Sequence, residues 1–295
     1  MAKITKIAWC HSTFNCWVGC TKVGPGCDGC YAEALDRARL SKTLGGGTPG
    51  KPIIHWGVGA PRYRTSVQNW NAVRKWDRQA KAYIETGVMD AWRVFCASLA
   101  DVFDNEAPDE WRWDLWTLIA DTPHLSWLLV TKRIGNVAKM VPQSWMTYKF
   151  PPNVRLLVTV VNQEEADRDV PKLLELKCKN GGSYEPALGP VDWRWYLAPN
   201  VWENGKAVAG ADYGHGRKLE WIIVGGESAQ APHIARRFDL IWAQHTINDC
   251  RAAGVPVFVK QLGSNPIYPQ DRIKDRAGAD PTEWPEDLRV QEFPA

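Results

Sequence analysis

Four cysteines, Cys16, Cys20, Cys27 and Cys30, crowd into the stretch NCWVGCTKVGPGCDGCYAEAL, residues 15–35, with Cys10 just upstream. Thiolates bind zinc, carry iron–sulfur clusters, or pair as disulfides. The spacing is Cys16-x3-Cys20-x6-Cys27-x2-Cys30. Gly24-Pro25-Gly26 bends the chain between them, as sulfurs that must approach one another require. A helix predicted to follow Cys30 would aim its positive N-terminal end at the thiols and favour their anionic form. Zinc commonly takes two C-x2-4-C pairs on a longer arm, and here the pairs stand only six residues apart. A three-ligand iron–sulfur site would use Cys20, Cys27 and Cys30 and leave one iron open. Spacing alone points to a metal and leaves its identity open, with a disulfide staple as the alternative.

The chain around this loop has 295 residues, 45% of them apolar, 23% charged, and a net charge of +3. That composition supports a sizeable core and argues against disorder. It lacks the dense basic stripe of a dedicated duplex binder. The N-terminus reads without a signal peptide, and no apolar run is long enough to span a bilayer, so a cytoplasmic protein with no membrane partner is expected. In a reducing cytosol, clustered cysteines point to metal or redox chemistry. The scattered Cys96, Cys178 and Cys250 read as small buried hydrophobes. Most of the 17 tryptophans read as core.

Apolar runs recur at 6–10, 93–103, 125–133, 154–163, 220–228 and 255–263, and a shorter strand is read within 181–190, ending at Tyr184 and Glu185. Helical patterns fall at 30–42, 67–86, 109–121, 163–177 and 236–253. Strands apolar on both faces, alternating with helices, imply a parallel sheet covered by helices, either a barrel or a doubly wound sheet. Each run ends in polar residues: Ser98 and Asp101; Thr131, Lys132 and Arg133; Asn162 and Gln163; Glu227 and Ser228; Lys260 and Gln261. In a barrel these ends line one mouth. Asn162 and Glu165 have capping-box spacing, and Pro171 is expected to kink or end that helix. NVWENGKAV, 200–208, predicts a hairpin at Asn204-Gly205. GGGTPGKP, 45–52, mimics a phosphate loop, but Pro52 stands where Ser or Thr is needed and no strand precedes it. His11 is a candidate second-layer donor to the cysteines.

Cys20, Cys27 and Cys30, followed by Tyr31-Ala32-Glu33, form a C-x6-C-x2-C motif. It resembles the signature of a phage and prophage three-cysteine protein family related to radical S-adenosylmethionine (SAM) enzymes. The resemblance continues through SLADVF (98–103), LVTKR (129–133), VVNQEEADR (160–168), EPALGPVD (185–192), IIVGGES (222–228), CRAAGVPVFVKQLG (250–263) and EFP (292–294). Cys10, Cys16, the segment CKNGGSY and an insert at 194–218 depart from it.

The resemblance implies an α/β fold, a partial (β/α)6 TIM-like barrel of the radical SAM type, with an inserted hairpin around 194–218. Residues 1–264 would form the barrel and 265–295 an extension packed on it. A [4Fe–4S] cluster would sit on Cys20, Cys27 and Cys30, with SAM on the fourth iron. Such enzymes cleave SAM to a radical that abstracts hydrogen from a substrate. Ser98, Asp101, Thr131, Lys132, Asn162 and Glu227 are the candidate SAM-binding residues. Lys132 or Arg133 would pair with a carboxylate or phosphate. Tyr31 would pack beside the cluster or serve as the first core residue of its helix. An electron donor is an implied partner, and a nucleobase, nucleotide or phage DNA the expected substrate class. Trp17, Trp56, Arg62 and Arg64 would stack on or pair with such a substrate, or serve as packing. The alternative is a non-catalytic zinc or iron–sulfur protein that binds nucleic acid or a protein partner.

Overall fold

Strands buried on both faces need unbroken aliphatic runs, and VFC, LLV, RLLVT, IIV and VFV supply them here. The computed structural model describes residues 5–197, 201–203, 206–209, 217–267 and 273–294. Two compact units form: Met1–Val23 with Cys30–Leu156, and Gly24–Gly29 with Leu157–Ala295.

The first unit begins with β1 (Ser12–Thr13), β2 (Trp17–Val18), α1 (Tyr31–Ala38), β3 (Tyr63–Arg64) and α2 (Val67–Glu85). It continues with β4 (Trp92–Cys96), α3 (Asp109–Ala120), β5 (Leu125–Thr131), α4 (Val137–Met140), α5 (Gln143–Thr147) and the start of β6 (Val154–Thr159). β1, β4 and β5 run parallel. β2 and β3 pair antiparallel and clip the cysteine loop to the glycine-rich segment before α2. Phe14 meets Trp70 and Trp127 edge-on at 5.3 and 5.8 Å, so the tryptophans here are core. The predicted strand at 6–10 is absent. Cys10 N–H turns back to the Ile7 carbonyl, and extended pairing starts only where Ser12 meets Val94.

The second unit holds the rest of β6, then α6 (Gln163–Leu174), β7 (Lys179–Tyr184), α7 (Arg194–Leu197), β8 (Val201–Glu203), β9 (Lys206–Ala209) and β10 (Ile222–Gly225). β11 (Phe238–Asp239), α8 (Leu240–Ala252), β12 (Val257–Gln261) and β13 (Pro266–Ile267) complete it. β7, β10 and β12 are parallel. β8 and β9 pair antiparallel, as the hairpin expectation requires, while Asn204-Gly205 lies outside the described residues. Near the C-terminus, Val290 O accepts from Val259 N–H at 2.8 Å, and Gln291 bridges Phe258.

Pro171 does not stop α6, which continues to Leu174. Proline costs one backbone bond, but Val170, Leu173 and Leu174 bury the helix face around it.

Seven strands pair in the order β1-β4-β5-β6-β7-β10-β12. This is a mixed α/β fold with a large parallel sheet, as a partial barrel requires at that level. Among the described residues, no helix is long and apolar enough to cross a membrane.

Candidate cysteine-loop site

Two buried arginines grip the residue after Cys20. Arg62 donates from Nη2 to the Thr21 hydroxyl at 2.7 Å, and Arg133 donates from Nη2 to the Thr21 carbonyl. Arg133 Nη2 also lies 3.7 Å from the Cys20 sulfur. Asp104 takes Arg62 Nε at 2.7 Å and stands 3.5 Å from Arg133 Nη2, so cations and carboxylates alternate. Arg62 further donates to the carbonyls of His55, Gly57 and Ala60. Burial pushes the Cys20 thiol up to about 12, with Asp101 adding to the shift and Arg133 opposing it. A metal would therefore have to displace a firmly held proton there.

Four of the predicted SAM-binding residues lie at the ends of β4 and β5, in this same unit. Asp101 and Thr131 are each other's partners, with the hydroxyl 2.9 and 3.0 Å from the two carboxylate oxygens. Asp101 also accepts from the backbone N–H groups of Phe103 and Lys132, each at 3.0 Å. Both side chains thus brace the two loops together. Ser98 exchanges hydrogen bonds with Asn15, and its carbonyl takes the Tyr31 hydroxyl at 2.7 Å. That bond ties the start of α1, and with it Cys30, to the end of β4. Lys132 is half-buried.

In the second unit, the loop segment 24–29 has its own anchors. Asp28 pairs with Arg236 at 3.2 Å. Gly29 approaches Glu227 and His233 so closely that a Cβ there would lie 2.5 Å from both side chains. The Glu227 carboxylate accepts from the backbone and guanidinium of Arg236 and faces His233 Nε2 at 2.9 Å. Burial alone would raise its pKa. The hydrogen bonds from Arg236 and His233 outweigh that and hold it at about 2. Glu227, predicted to bind SAM, is thus engaged by Arg236 and His233 beside Gly29. Asn162, also predicted to bind SAM, caps α6 by accepting from Glu165 N–H at 3.0 Å. Glu165 answers the N–H of Val161, one residue before the expected box partner.

Cys27 ends a short 3-10 turn, Pro25–Cys27, whose bend comes from the proline. Cys20 and Cys30 both pack against the small apolar group of Val18, Ala32 and Trp56. Among the described residues, no three His, Cys, Asp or Glu side chains gather closely enough to hold a metal ion. Thiols are the donor type an iron–sulfur cluster takes, but Cys20, Cys27 and Cys30 are not drawn together here into a set that could hold one. Cys20, Cys27 and Cys30 are partly exposed, whereas Cys10, Cys16, Cys96 and Cys250 are buried; Cys178, expected as a small buried hydrophobe, is partly exposed as well, just beyond the end of α6.

The match to known protein families covers residues 4–284 and falls on a family described as a protein of unknown function, DUF5131. The chain belongs to the DUF5131 family. No curated protein and no solved structure matches it.

Several residues of this DUF5131 chain carry more of the site than the sequence suggested. Arg62 is buried in the clamp. Arg64 lies over the Trp70 ring at 4.5 Å and pairs with Asp114. Trp17 and Trp56 are buried. Arg62 and Arg64 are thus engaged by side chains of this chain, and Trp17 and Trp56 are packed inside it. His11 Nδ1 accepts from Arg93 N–H at 2.8 Å, which commits that nitrogen to the backbone. The pairing of Arg236 with Asp28 leaves no local signal in the sequence, because 208 positions separate them.

Proposed function

We propose that this DUF5131 protein carries a [4Fe–4S] cluster on Cys20, Cys27 and Cys30 and acts as a radical SAM enzyme in the cytoplasm. The observation that carries the reading is the braced C-x6-C-x2-C loop: its first part is clamped at Thr21 by Arg62 and Arg133, and its later part pairs through Asp28 with Arg236. The parallel α/β sheet, the resemblance to the phage three-cysteine family and the accessible thiols support the same reading.

When bound, the cluster and SAM would supply the radical chemistry, and the chain would hold and shield them. Among the predicted SAM partners, Asp101 and Thr131 brace the loops after β4 and β5, Asn162 caps α6, and Glu227 engages Arg236. Lys132, beside the Asp101–Thr131 brace, is the residue assigned to the SAM carboxylate. With Trp17, Trp56, Arg62 and Arg64 engaged elsewhere, recognition of a nucleobase, nucleotide or DNA substrate falls to other side chains.

Anaerobic reconstitution tests this. The protein should turn brown, bind about four irons per chain, and release 5′-deoxyadenosine with SAM and dithionite. Cys27→Ala should abolish both. Colourless protein with stoichiometric zinc would instead support the non-catalytic alternative, and equal product from both proteins would refute the cluster assignment.

A further inference from the structure

We propose that the second unit holds a cavity for the phosphate group of a small organic phosphate monoester, with Lys274 and Arg276 as its cationic wall. The inference does not rest on the cluster reading above.

The cavity has a volume of about 760 Å³, enough for a sugar phosphate or a nucleotide. Three segments build it: the loop after β10 at 228–230, the loop after β12 at 263–264, and residues 273–277. β10 and β12 are parallel neighbours and the last two strands of the large sheet. Ligands of parallel α/β sheets bind outside the carboxyl ends of the strands, and in barrels the loops after the last two strands often hold a phosphate.

The walls are tied to one another. Ser264 Oγ accepts from Ala229 N–H at 2.9 Å and donates to the Arg276 carbonyl at 2.6 Å, so one hydroxyl joins all three segments. Gly263 has φ +78°, and a Cβ there would lie 2.7 Å from the Glu227 carbonyl oxygen, so the two strand-end loops need a glycine to meet. Asp275 turns its carboxylate to the N–H groups of Ala277 and Ala279, at 3.1 and 2.6 Å. Glu283 turns its own to the N–H groups of Lys274 and Asp275, at 2.8 and 3.0 Å. Both carboxylates are thus engaged by backbone donors. Among the described residues, the side chains of Lys274 and Arg276 make no hydrogen bond or ion pair.

Most exposed cations simply face water. These two stand on a pinned backbone at the wall of a cavity with room for a ligand. A phosphate monoester carries close to two negative charges at neutral pH and three strong acceptor oxygens. A guanidinium and an ammonium match that charge. Ser228 Oγ accepts from Gln261 Nε2 at 2.7 Å, which leaves its own proton to donate to a third oxygen. Pro266 and Ile273 offer the organic part an apolar wall.

The test is isothermal titration calorimetry on the full chain with ribose 5-phosphate, inorganic phosphate and ribose. Wild type should bind ribose 5-phosphate, inorganic phosphate should compete with it, and ribose should give no heat. The double variant Lys274→Gln/Arg276→Gln should fold, since both side chains are exposed. It should weaken binding about tenfold, the contribution of one charge-assisted hydrogen bond. Ala229→Tyr keeps both cations but fills the cavity, and should weaken binding as much. Lys149→Gln removes an exposed lysine of the first unit and should change nothing. No binding by wild type, equal binding of ribose, an equal loss in Lys149→Gln, or wild-type affinity in either cavity variant would overturn the inference. Iron content reads the cluster separately, so neither result decides the other.

Discussion

Asp101 and Thr131 bond to each other across the ends of β4 and β5, with the Thr131 hydroxyl within 3.0 Å of both carboxylate oxygens. Thr131 Oγ1 also accepts from Arg133 N–H at 2.8 Å. The pair therefore sets where Arg133 begins. Thr131→Val should leave Asp101 short of a donor and the Arg133 N–H short of an acceptor. The expected loss is about 1–3 kcal/mol of stability in urea unfolding. Thr131→Ser should keep most of it. A valine variant as stable as wild type would mean the hydroxyl is not a brace.

Arg62 and Asp104 are both almost fully buried, at 1% exposure each, and lie 2.7 Å apart. Removing one member of such a pair strands the other. Arg62→Met should cost about 3–5 kcal/mol, the range for breaking a buried pair. Iron uptake should fall with it, because Thr21 loses one of its two clamps. Wild-type stability with weakened substrate binding would instead restore Arg62 as a substrate contact.

The parallel sheet was legible because its strands are aliphatic without alternation, a pattern that few other contexts produce. The cysteine loop was legible because thiols, glycines and a proline cluster locally. KIAWC was misread because a short apolar run does not say whether its backbone pairs, and here Cys10 turns back on Ile7. The bracing was illegible for a different reason. Arg133 and Cys20 are 113 positions apart, and nothing local in either residue records the other. The polar strand ends were found correctly, but spacing could not tell a residue that faces a ligand from one that bonds to its neighbour. Asp101 bonds to Thr131 and Glu227 to Arg236, and no local pattern in the sequence records either bond.

Glu227 predicts a pH dependence. Its folded-state pKa, about 2, lies below the ordinary glutamate value. Folding therefore favours the charged form, and the stabilisation is complete above the ordinary value of about 4.3. It fades as pH falls from there toward the folded value. Glu227→Gln should be less stable than wild type at neutral pH, and the gap should narrow steadily below about pH 4.5. Urea midpoints across a pH series would check this. A gap that stays constant with pH would show that the lost stability comes from packing.

Gly29 links that carboxylate to the proposed cluster loop. A methyl group at this position would lie 2.5 Å from Glu227 Oε1 and from the His233 ring. No Cβ tolerates that approach, so either the carboxylate or the loop must move. Glu227 is tied to Arg236 through its backbone and its guanidinium, and it is the stiffer partner. The loop should yield, carrying Cys27 and Cys30 with it. Gly29→Ala should therefore fold with a modest loss of stability yet retain far less iron after reconstitution. Gly50→Ala is the control, since no atom lies within 4 Å of its added carbon. Equal iron in Gly29→Ala, Gly50→Ala and wild type would mean that segment 24–29 can shift without disturbing the thiols, and that Glu227 anchors only itself.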